Sequence, residues 1–427
     1  MKVCVVALGK IGLPLAVQFA TKGHTVIGAD VSEPTVRMVN EGLAPFPGEA
    51  DLDVRLKEAV GAGLLSATTD TAAAVAEADA VVIVVPLFVD GDGAPDFGAM
   101  ESATRDVARG LRPGTLVSYE TTLPVGTTRN RWAPLLAEGS GLVAGRDFAL
   151  VFSPERVLTG RVFADLRKYP KLVGGLDAAS AQQGVRFYES VLDFDDRPDL
   201  ARGNGVWDLG SAEAAELAKL AETTYRDVNI GLANQFARYA DTIDVDVELV
   251  IEACNTQPYS HIHRPGIAVG GHCIPVYPRL YLWNDPSATV VRAAREANAL
   301  MPAYAVDLLA AAVGDLRGQG VLVLGAAYRG GVKETAFSGV FATVAELTRR
   351  GAHPYVSDPM YAPEELTALG LPPHAGQPVS SAVVQADHVE YRNLTPDDLP
   401  GVRVIVDGRR ITDEQRLPGI RRIVIGG

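Results

Sequence analysis

"KVCVVALGKIGLPLAVQFATKGHTVIGAD", residues 2–30, decides how this chain folds. KVCVVAL (2–8) is an apolar run of strand length. Such runs suit a parallel strand covered on both faces. A glycine-containing turn, ALGKIG (7–12), comes next. LPLAVQFATKG (13–23) then has the apolar spacing of a helix, and TVIGAD (25–30) reads as a second strand. Together they make a βαβ unit of about 30 residues, the expected size.

The turn is one glycine short of G-x-G-x-x-G, because Ala7 holds the first position and only Gly9 and Gly12 remain. A glycine at the second position lets backbone approach a pyrophosphate, and one at the third lets helix pack on strand. The helix N-terminus adds free N–H groups and the positive end of its dipole. Asp30 stands about 20 residues on, where a carboxylate takes ribose hydroxyls. Val31 and Ser32 supply no arginine for a 2′-phosphate, so NAD is favoured over NADP. The plain alternative is a tight strand–helix turn that binds nothing, and Ala7 fits it.

Outward from that unit, AVVIVVP (80–86), TLVSYET (115–121) and FALVFSP (148–154) read as strands, with helical patterns between several of them. That alternation predicts a doubly wound parallel sheet. The pattern changes near residue 206. LGSAEAAELAKLAETTYRDVNIGLANQFARYADTI (209–243) reads as one long helix, with Ser211 placed to cap it. DVELVIEACN (246–255) is a shorter helix. Alternation returns after residue 318, with strands at GVLVLGAAY (320–328), HPYVSD (353–358) and VRVIVDGRR (402–410) and a helix at FATVAELTRRG (341–351). The predicted fold is α/β, with two Rossmann-like domains (1–205 and 313–427) joined by a helical middle (206–312).

Composition bounds the function. The chain has 427 residues, 47% hydrophobic and 21% charged, which is enough for two or three cores. A net charge of −13 argues against a nucleic-acid groove, which needs clustered Lys and Arg. Three widely spaced cysteines, Cys4, Cys254 and Cys273, make neither a disulfide framework nor a zinc knuckle, and predict reduced thiols in a cytoplasm. The chain opens directly on a strand, so no leader is expected. No apolar run reaches the ~18 residues of a membrane helix.

Three reactive side chains stand out. Cys273 lies in the glycine-rich VGGHCIPVYP (269–278), Lys219 within the long helix seven residues before Arg226, and Glu155 in SPER (153–156) after a strand. A thiolate attacks a carbonyl carbon. An ammonium steadies charge on oxygen, and a carboxylate moves a proton. Beside NAD, these suit oxidation of an alcohol to an aldehyde, capture as a thiohemiacetal and a second oxidation to a thioester. Each also has a bland alternative: a solvated helix lysine, a surface Glu155–Arg156 pair, a structural loop cysteine. His272 raises a metal question, but adjacent His and Cys do not easily face one ion, and no metal is expected.

Several stretches, in order, resemble the UDP-glucose/GDP-mannose dehydrogenase family over essentially the whole chain. They are LGKIGLPLA (8–16), ETTLPVGTTR (120–129), FSPERVLTGR (152–161), AELAKLAETTYRDVNIGLANQ (215–235), GGHCIPVYP (270–278), VLGAAYR (323–329) and VDGRR (406–410). The PER and GGHCIP forms are most similar to the branch acting on UDP-N-acetylhexosamines, such as UDP-N-acetylmannosamine and UDP-N-acetylglucosamine dehydrogenases. The resemblance implies a homodimer that oxidises a nucleotide sugar at C6 twice with NAD through a cysteine thioester. Cys273 is then the nucleophile, Lys219 the oxyanion stabiliser and Glu155 a proton-transfer or water-ordering group. Gly9, Lys10, Ile11, Gly12, Asp30, Pro86, Thr122 and Glu155 line the NAD site. Arg156, Val157, Lys219, Arg226, Tyr259, Gly266, Tyr328, Arg329 and Arg409 line the nucleotide-sugar site.

The chain departs from that family pattern at specific places. Thr223 stands where the family usually has Asn, and Tyr277 where it has Asp. A phenol of ordinary pKa near ~10 is a poor base at neutral pH. Gln257 and Tyr259 replace a His and an Arg offered to the sugar, Arg329 replaces a Lys, Ala336 an Arg, and Leu87-Phe88 a Thr-Pro. The expectation is a nucleotide-sugar 6-dehydrogenase with an altered sugar pocket, Thr223 and Tyr277 marking the hydrolytic step. The alternatives are truncated or redox-neutral chemistry on the same fold, or a binding protein without catalysis.

Overall fold

The computed structural model describes residues 1–90 and 93–427. The chain forms two compact units, Met1–Ala221 and Glu222–Gly427.

In the first unit, eight strands make one sheet: β1 (Lys2–Val6), β2 (Thr25–Ala29), β3 (Leu65–Thr68), β4 (Ala80–Ile83), β7 (Leu116–Tyr119), β8 (Ala149–Phe152), β9 (Lys171–Gly175) and β10 (Val206–Asp208). The two-residue strands β5 (Phe88–Val89) and β6 (Pro95–Asp96) pair separately. The order across the sheet is β10-β9-β8-β7-β4-β1-β2-β3. Alternate residues of β1 and β4 enter different cores. Val3, Val5 and Val82 pack on one face, and Cys4, Val6, Val81 and Ile83 on the other. This is why these strands read as continuous apolar runs. The helix Gly12–Thr21 covers one face with nine buried residues.

One pairing differs from the expected parallel sheet: β9 runs antiparallel to β8. KLVGG begins with a lysine and ends in two glycines, so its strand character was not legible. β3 and β10, four and three residues long, likewise carry no periodic apolar signal.

The second unit carries a parallel sheet of β11 (Gly320–Leu324), β12 (His353–Ser357), β13 (Ser381–Val384), β14 (Val404–Asp407) and β15 (Arg421–Val424), ordered β12-β11-β13-β14-β15. The helices Val247–Cys254, Tyr277–Asn284, Thr289–Ala299 and Met301–Val313 precede it. Both units repeat one device. Asp30, after β2, accepts the Leu8 N–H (2.7 Å) from the turn after β1. Asp358, after β12, accepts the Ala326 and Ala327 N–H groups (2.7 and 3.1 Å) from the turn after β11.

The division between units falls inside the long helix Ala212–Ile243. Ser211 caps it as expected, its Oγ accepting the Ala214 N–H at 3.2 Å. Among the described residues no helix is long and apolar enough to cross a membrane.

Candidate active site

In an open α/β sheet, ligands bind beyond the carboxyl ends of the strands. In the first unit those ends present the 7–12 turn, Pro86, Glu120–Thr122 and Glu155. Ala7 has φ 75°, a left-handed conformation that explains why glycine is favoured there. Holding an L-residue in that region costs about 1–2 kcal/mol. A Cβ at Gly12 would meet the Ala7 carbonyl oxygen at 1.9 Å, so helix and turn pack only around a glycine. A Cβ at Gly9 would meet nothing within 4 Å: the turn is open on that side. Lys10 is exposed and Ile11 half-buried. The helix after the turn has no side-chain cap, which leaves its amino end to a ligand. Pro86 is exposed and Thr122 is buried. An open glycine turn, an uncapped helix start and a carboxylate closing β2 fit a dinucleotide.

Lys219 and Glu155 come together. The Lys219 ammonium donates to the Glu155 main-chain carbonyl at 2.6 Å. Both are largely buried, with 8% of Lys219 and 11% of the Glu155 side chain exposed. The Glu155 Oε1 accepts the Arg156 N–H at 2.7 Å. Burial works to raise the Glu155 carboxyl, but the Lys171 charge and these hydrogen bonds hold it below its ordinary value. Arg156 donates to the Pro170 carbonyl at 3.3 Å, and Val157 packs half-buried against the first core.

Two groups here were missed from the sequence. Lys171, the first residue of β9, donates to Glu120 (2.7 Å) and Glu155 (2.8 Å). Glu216, three residues before Lys219 on the helix, accepts from the Gly126 N–H (2.6 Å), the Thr128 N–H (2.9 Å) and the Thr128 hydroxyl (2.7 Å). It pins the LPVGTT loop to the helix one turn before Lys219. The three-residue spacing to Lys219 was visible, but a buried partner for Glu216 was not.

Burial pushes Glu216 up to about 7. A carboxyl raised on folding adds stability below its unfolded pKa of ~4.3 and loses it as pH rises through the folded value. Stability should therefore fall between about pH 4 and 7 by this contribution. Glu216→Gln should flatten the fall in a series of thermal melts; an unchanged slope would remove Glu216 as its source.

In the second unit the Cys273 loop is shaped by Tyr328. A Cβ on Gly270 would sit 2.5 Å from the Tyr328 Cβ, and one on Gly271 3.0 Å from its ring. Gly271 also has φ +88° and donates its N–H to the Ala336 carbonyl at 2.9 Å. The glycines that suggested close approach by a ligand are thus required first by the chain's own tyrosine. Cys273 is exposed, and its thiol faces the Tyr277 hydroxyl with Sγ and OH 3.8 Å apart. Tyr277 opens the helix Tyr277–Asn284, and its N–H reaches the Cys273 carbonyl at 3.0 Å. His272 lies 3.6 Å from Glu334. Among the described residues no group of three His, Cys, Asp or Glu side chains is placed to hold a metal ion.

Gly266, Tyr328 and Arg409 also come together. Arg409 donates to the Gln385 carbonyl (3.0 Å) and the Tyr328 carbonyl (3.1 Å), and a Cβ on Gly266 would lie 3.1 Å from its guanidinium. Arg329 donates to the Tyr328 hydroxyl at 3.2 Å. Thr223 is buried and Arg226 exposed on the long helix. Tyr259 is not brought to this cluster by any contact: its side chain is 92% exposed. Three of the five non-glycine residues with positive φ among the described residues lie here, the others being Asp51 and Asp244. Besides Ala7, Phe337 (φ 50°) abuts Gly270 and Arg410 (φ 51°) follows Arg409. Strained residues persist where the surroundings over-determine them, and they cluster at ligand sites.

Three family models match. They are the UDP-glucose/GDP-mannose dehydrogenase family's NAD binding domain over residues 1–192, its central domain over 213–299 and its UDP binding domain over 322–414. The chain is 35% identical to a UDP-N-acetyl-D-mannosamine dehydrogenase of Pyrococcus horikoshii, over 97% of this chain and 96% of that one. It is 31% identical to an NDP-N-acetyl-D-galactosaminuronic acid dehydrogenase of Ralstonia solanacearum, over 97% of each. Among solved structures, a UDP-D-ManNAc dehydrogenase from Pyrococcus horikoshii superposes with a TM-score of 0.88 at 33% identity, covering 100% of this chain and 99% of that one.

Proposed function

The chain belongs to the UDP-glucose/GDP-mannose dehydrogenase family and is an NAD-dependent nucleotide-sugar dehydrogenase; from that premise we propose that it oxidises a UDP-linked N-acetylhexosamine at C6 from alcohol to carboxylate through Cys273. The observation that carries the proposal is the exposed Cys273 thiol on a loop fixed by Tyr328, in a chain that also holds a buried Lys219–Glu155 pair. The three matched segments support a functional division into NAD-binding, central and sugar-nucleotide-binding parts.

NAD, when bound, accepts the hydride of each oxidation. Glu155 takes the hydroxyl proton in the first. The Cys273 sulfur adds to the aldehyde carbon, and the resulting alkoxide is steadied by the Lys219 ammonium. After the second oxidation a thioester remains on Cys273. Water adds to its carbonyl, the sulfur leaves, and the acid is released. One sugar therefore yields two NADH. Gly266, Tyr328 and Arg409, which come together in the second unit, are assigned to the nucleotide end of the substrate; Arg156, Val157 and Arg226 are its candidate sugar contacts. The exposed Tyr259 gives that pocket a different edge from the arginine usual in the family.

The Tyr277 hydroxyl, 3.8 Å from the Cys273 sulfur, favours a second outcome at the last step. A phenol there is a weak base for water, so hydrolysis slows and the thioester left by the second oxidation accumulates on Cys273. A panel of UDP-, GDP- and dTDP-sugars with NAD tests both, with products weighed by mass spectrometry and NADH counted. Sustained formation of two NADH per sugar with free acid supports full oxidation; a burst of two NADH per enzyme, with the acyl group retained on Cys273, supports the arrested course. The arrested course also requires Thr223→Asn with Tyr277→Asp to change the product. No NADH with any sugar sinks the proposal.

The long helix exposes Tyr225, Leu232, Phe236, Tyr239 and Ile243 at helical spacing along one side. An exposed apolar stripe of this kind supports a homodimer. Light scattering should give the mass of two chains, and a single-chain mass at micromolar concentration would remove the proposal.

A further inference from the structure

Glu155 is one corner of a buried polar chain that the proposed reaction leaves unused. Lys171 Nζ donates to Glu120 Oε2 at 2.7 Å and to Glu155 Oε2 at 2.8 Å. The Tyr188 hydroxyl donates to Glu120 Oε1 at 2.7 Å and lies 2.7 Å from the Ser118 hydroxyl. The Lys171 ammonium also sits 4.8 Å from the Tyr188 ring centre. Lys171 and Glu120 have side chains 4% and 0% exposed.

The topology explains how these groups meet. The antiparallel register pairs Val151 with Gly175 and Phe152 with Gly174. Continued past the end of β8, it sets Glu155 opposite Lys171. A parallel β9 would have brought the other end of the strand, with its glycines, to this place. The single reversed pairing in the sheet thus delivers a lysine to the Glu155 carboxylate.

Two carboxylates share one ammonium out of water. An uncompensated buried carboxylate is expensive, so such a set keeps a proton. We infer that Lys171, Glu120 and Tyr188 are positioning residues that hold one proton beside Glu155 and thereby set its strength as the base of the alcohol oxidation. This rests on the reading that Glu155 accepts the sugar's hydroxyl proton.

Glu120 is the holder of that proton. It is the deeper carboxyl, and burial raises it to about 7 against the pull of Lys171. The groups that face it are Lys171 from β9, Glu155 after β8 and Tyr188 from the helix Ala178–Val191, with Ser118 of β7 and Ser153 in turn on Tyr188. With Glu120 protonated, the Lys171 ammonium is left to compensate Glu155 alone and keeps it a weak base. Once Glu120 ionises, its new negative charge raises Glu155, which then takes the hydroxyl proton more readily as the hydride leaves.

The test is the pH dependence of NADH formation by the full-length enzyme, with UDP-N-acetyl-D-mannosamine and NAD as probes. Difference infrared spectra of the protonated carboxyl band are recorded in parallel without substrate. The wild-type rate should rise through an inflection near pH 7. Glu120→Gln should abolish that inflection, hold the rate at its low-pH plateau and remove one titrating carboxyl, with both KM values within about twofold. Tyr188→Phe removes a donor to Glu120 and should move the inflection to higher pH. Lys171→Met leaves two buried carboxyls without their cation, so they hold protons to higher pH: the inflection should move up and the rate at pH 7 fall, and Lys171→Arg should recover part of both. An inflection unmoved in both Glu120→Gln and Tyr188→Phe overturns the inference, as does a Lys171→Met enzyme that loses thermal stability but no kcat. A wild type inactive toward the probe, with its carboxyl band still titrating near pH 7 and lost in Glu120→Gln, overturns the reading of the reaction instead and leaves the proton holder in place.

Discussion

Cys273→Ala should lower turnover by a factor on the order of 10⁴ while leaving UDP affinity within a few-fold of wild type. The size follows from the role. Removing a covalent nucleophile leaves only positioning and electrostatic stabilisation, and in enzymes that work through such a group the loss spans several powers of ten. The selectivity follows from the place of the thiol. Cys273 is exposed and contacts Tyr277, whereas the proposed nucleotide end of the substrate site, Gly266, Tyr328 and Arg409, is held by main-chain contacts that do not involve the thiol. Initial-rate NADH formation and calorimetric titration with UDP check the two halves. A variant retaining more than about a tenth of wild-type turnover would rule out the covalent route.

Lys219→Met should cost about 10²–10³ in kcat, the range for losing one preorganised oxyanion donor. Its ammonium is buried and already fixed on the Glu155 carbonyl at 2.6 Å, so no reorganisation is needed when charge develops on the captured carbonyl oxygen. The loss should fall on kcat more than on KM, because the interaction strengthens only as the alkoxide forms. Lys219→Arg keeps the charge but not the compact donor and should recover less than a tenth of the lost rate. Equal losses in Lys219→Met and Lys219→Arg, both in KM, would place Lys219 in binding and not in catalysis.

The expected strands centred on Val5, Ile27, Val82, Val117 and Val151 are all present, since each is apolar on both faces and bounded by a turn. The long helix was legible to its cap at Ser211, because 32 residues without proline or a glycine pair leave little choice. The candidate site was legible where a residue type is chemically unusual in its setting, as with Cys273 in a glycine loop. It was not legible where ordinary residues meet by register. Nothing about KLVGG marks Lys171, nothing about ETTLPVG marks Glu120, and Glu216 looked like any helix carboxylate.

The sequence by itself determined the α/β class, the dinucleotide turn with its Asp30, the long helix and the family, because local periodicity and spaced motifs survive in one dimension. Tertiary structure decided the rest. It set Tyr328 against Gly270 and Gly271, left Tyr259 in solvent, and reversed β9 so that Lys171 faces Glu155 and Glu120. The reason is that charge compensation and close packing are relations between residues far apart in the chain. Lys171 and Glu120 are separated by 51 positions. Only the fold brings such pairs out of water together, and only there do they acquire the shared proton on which Glu155 is proposed to depend.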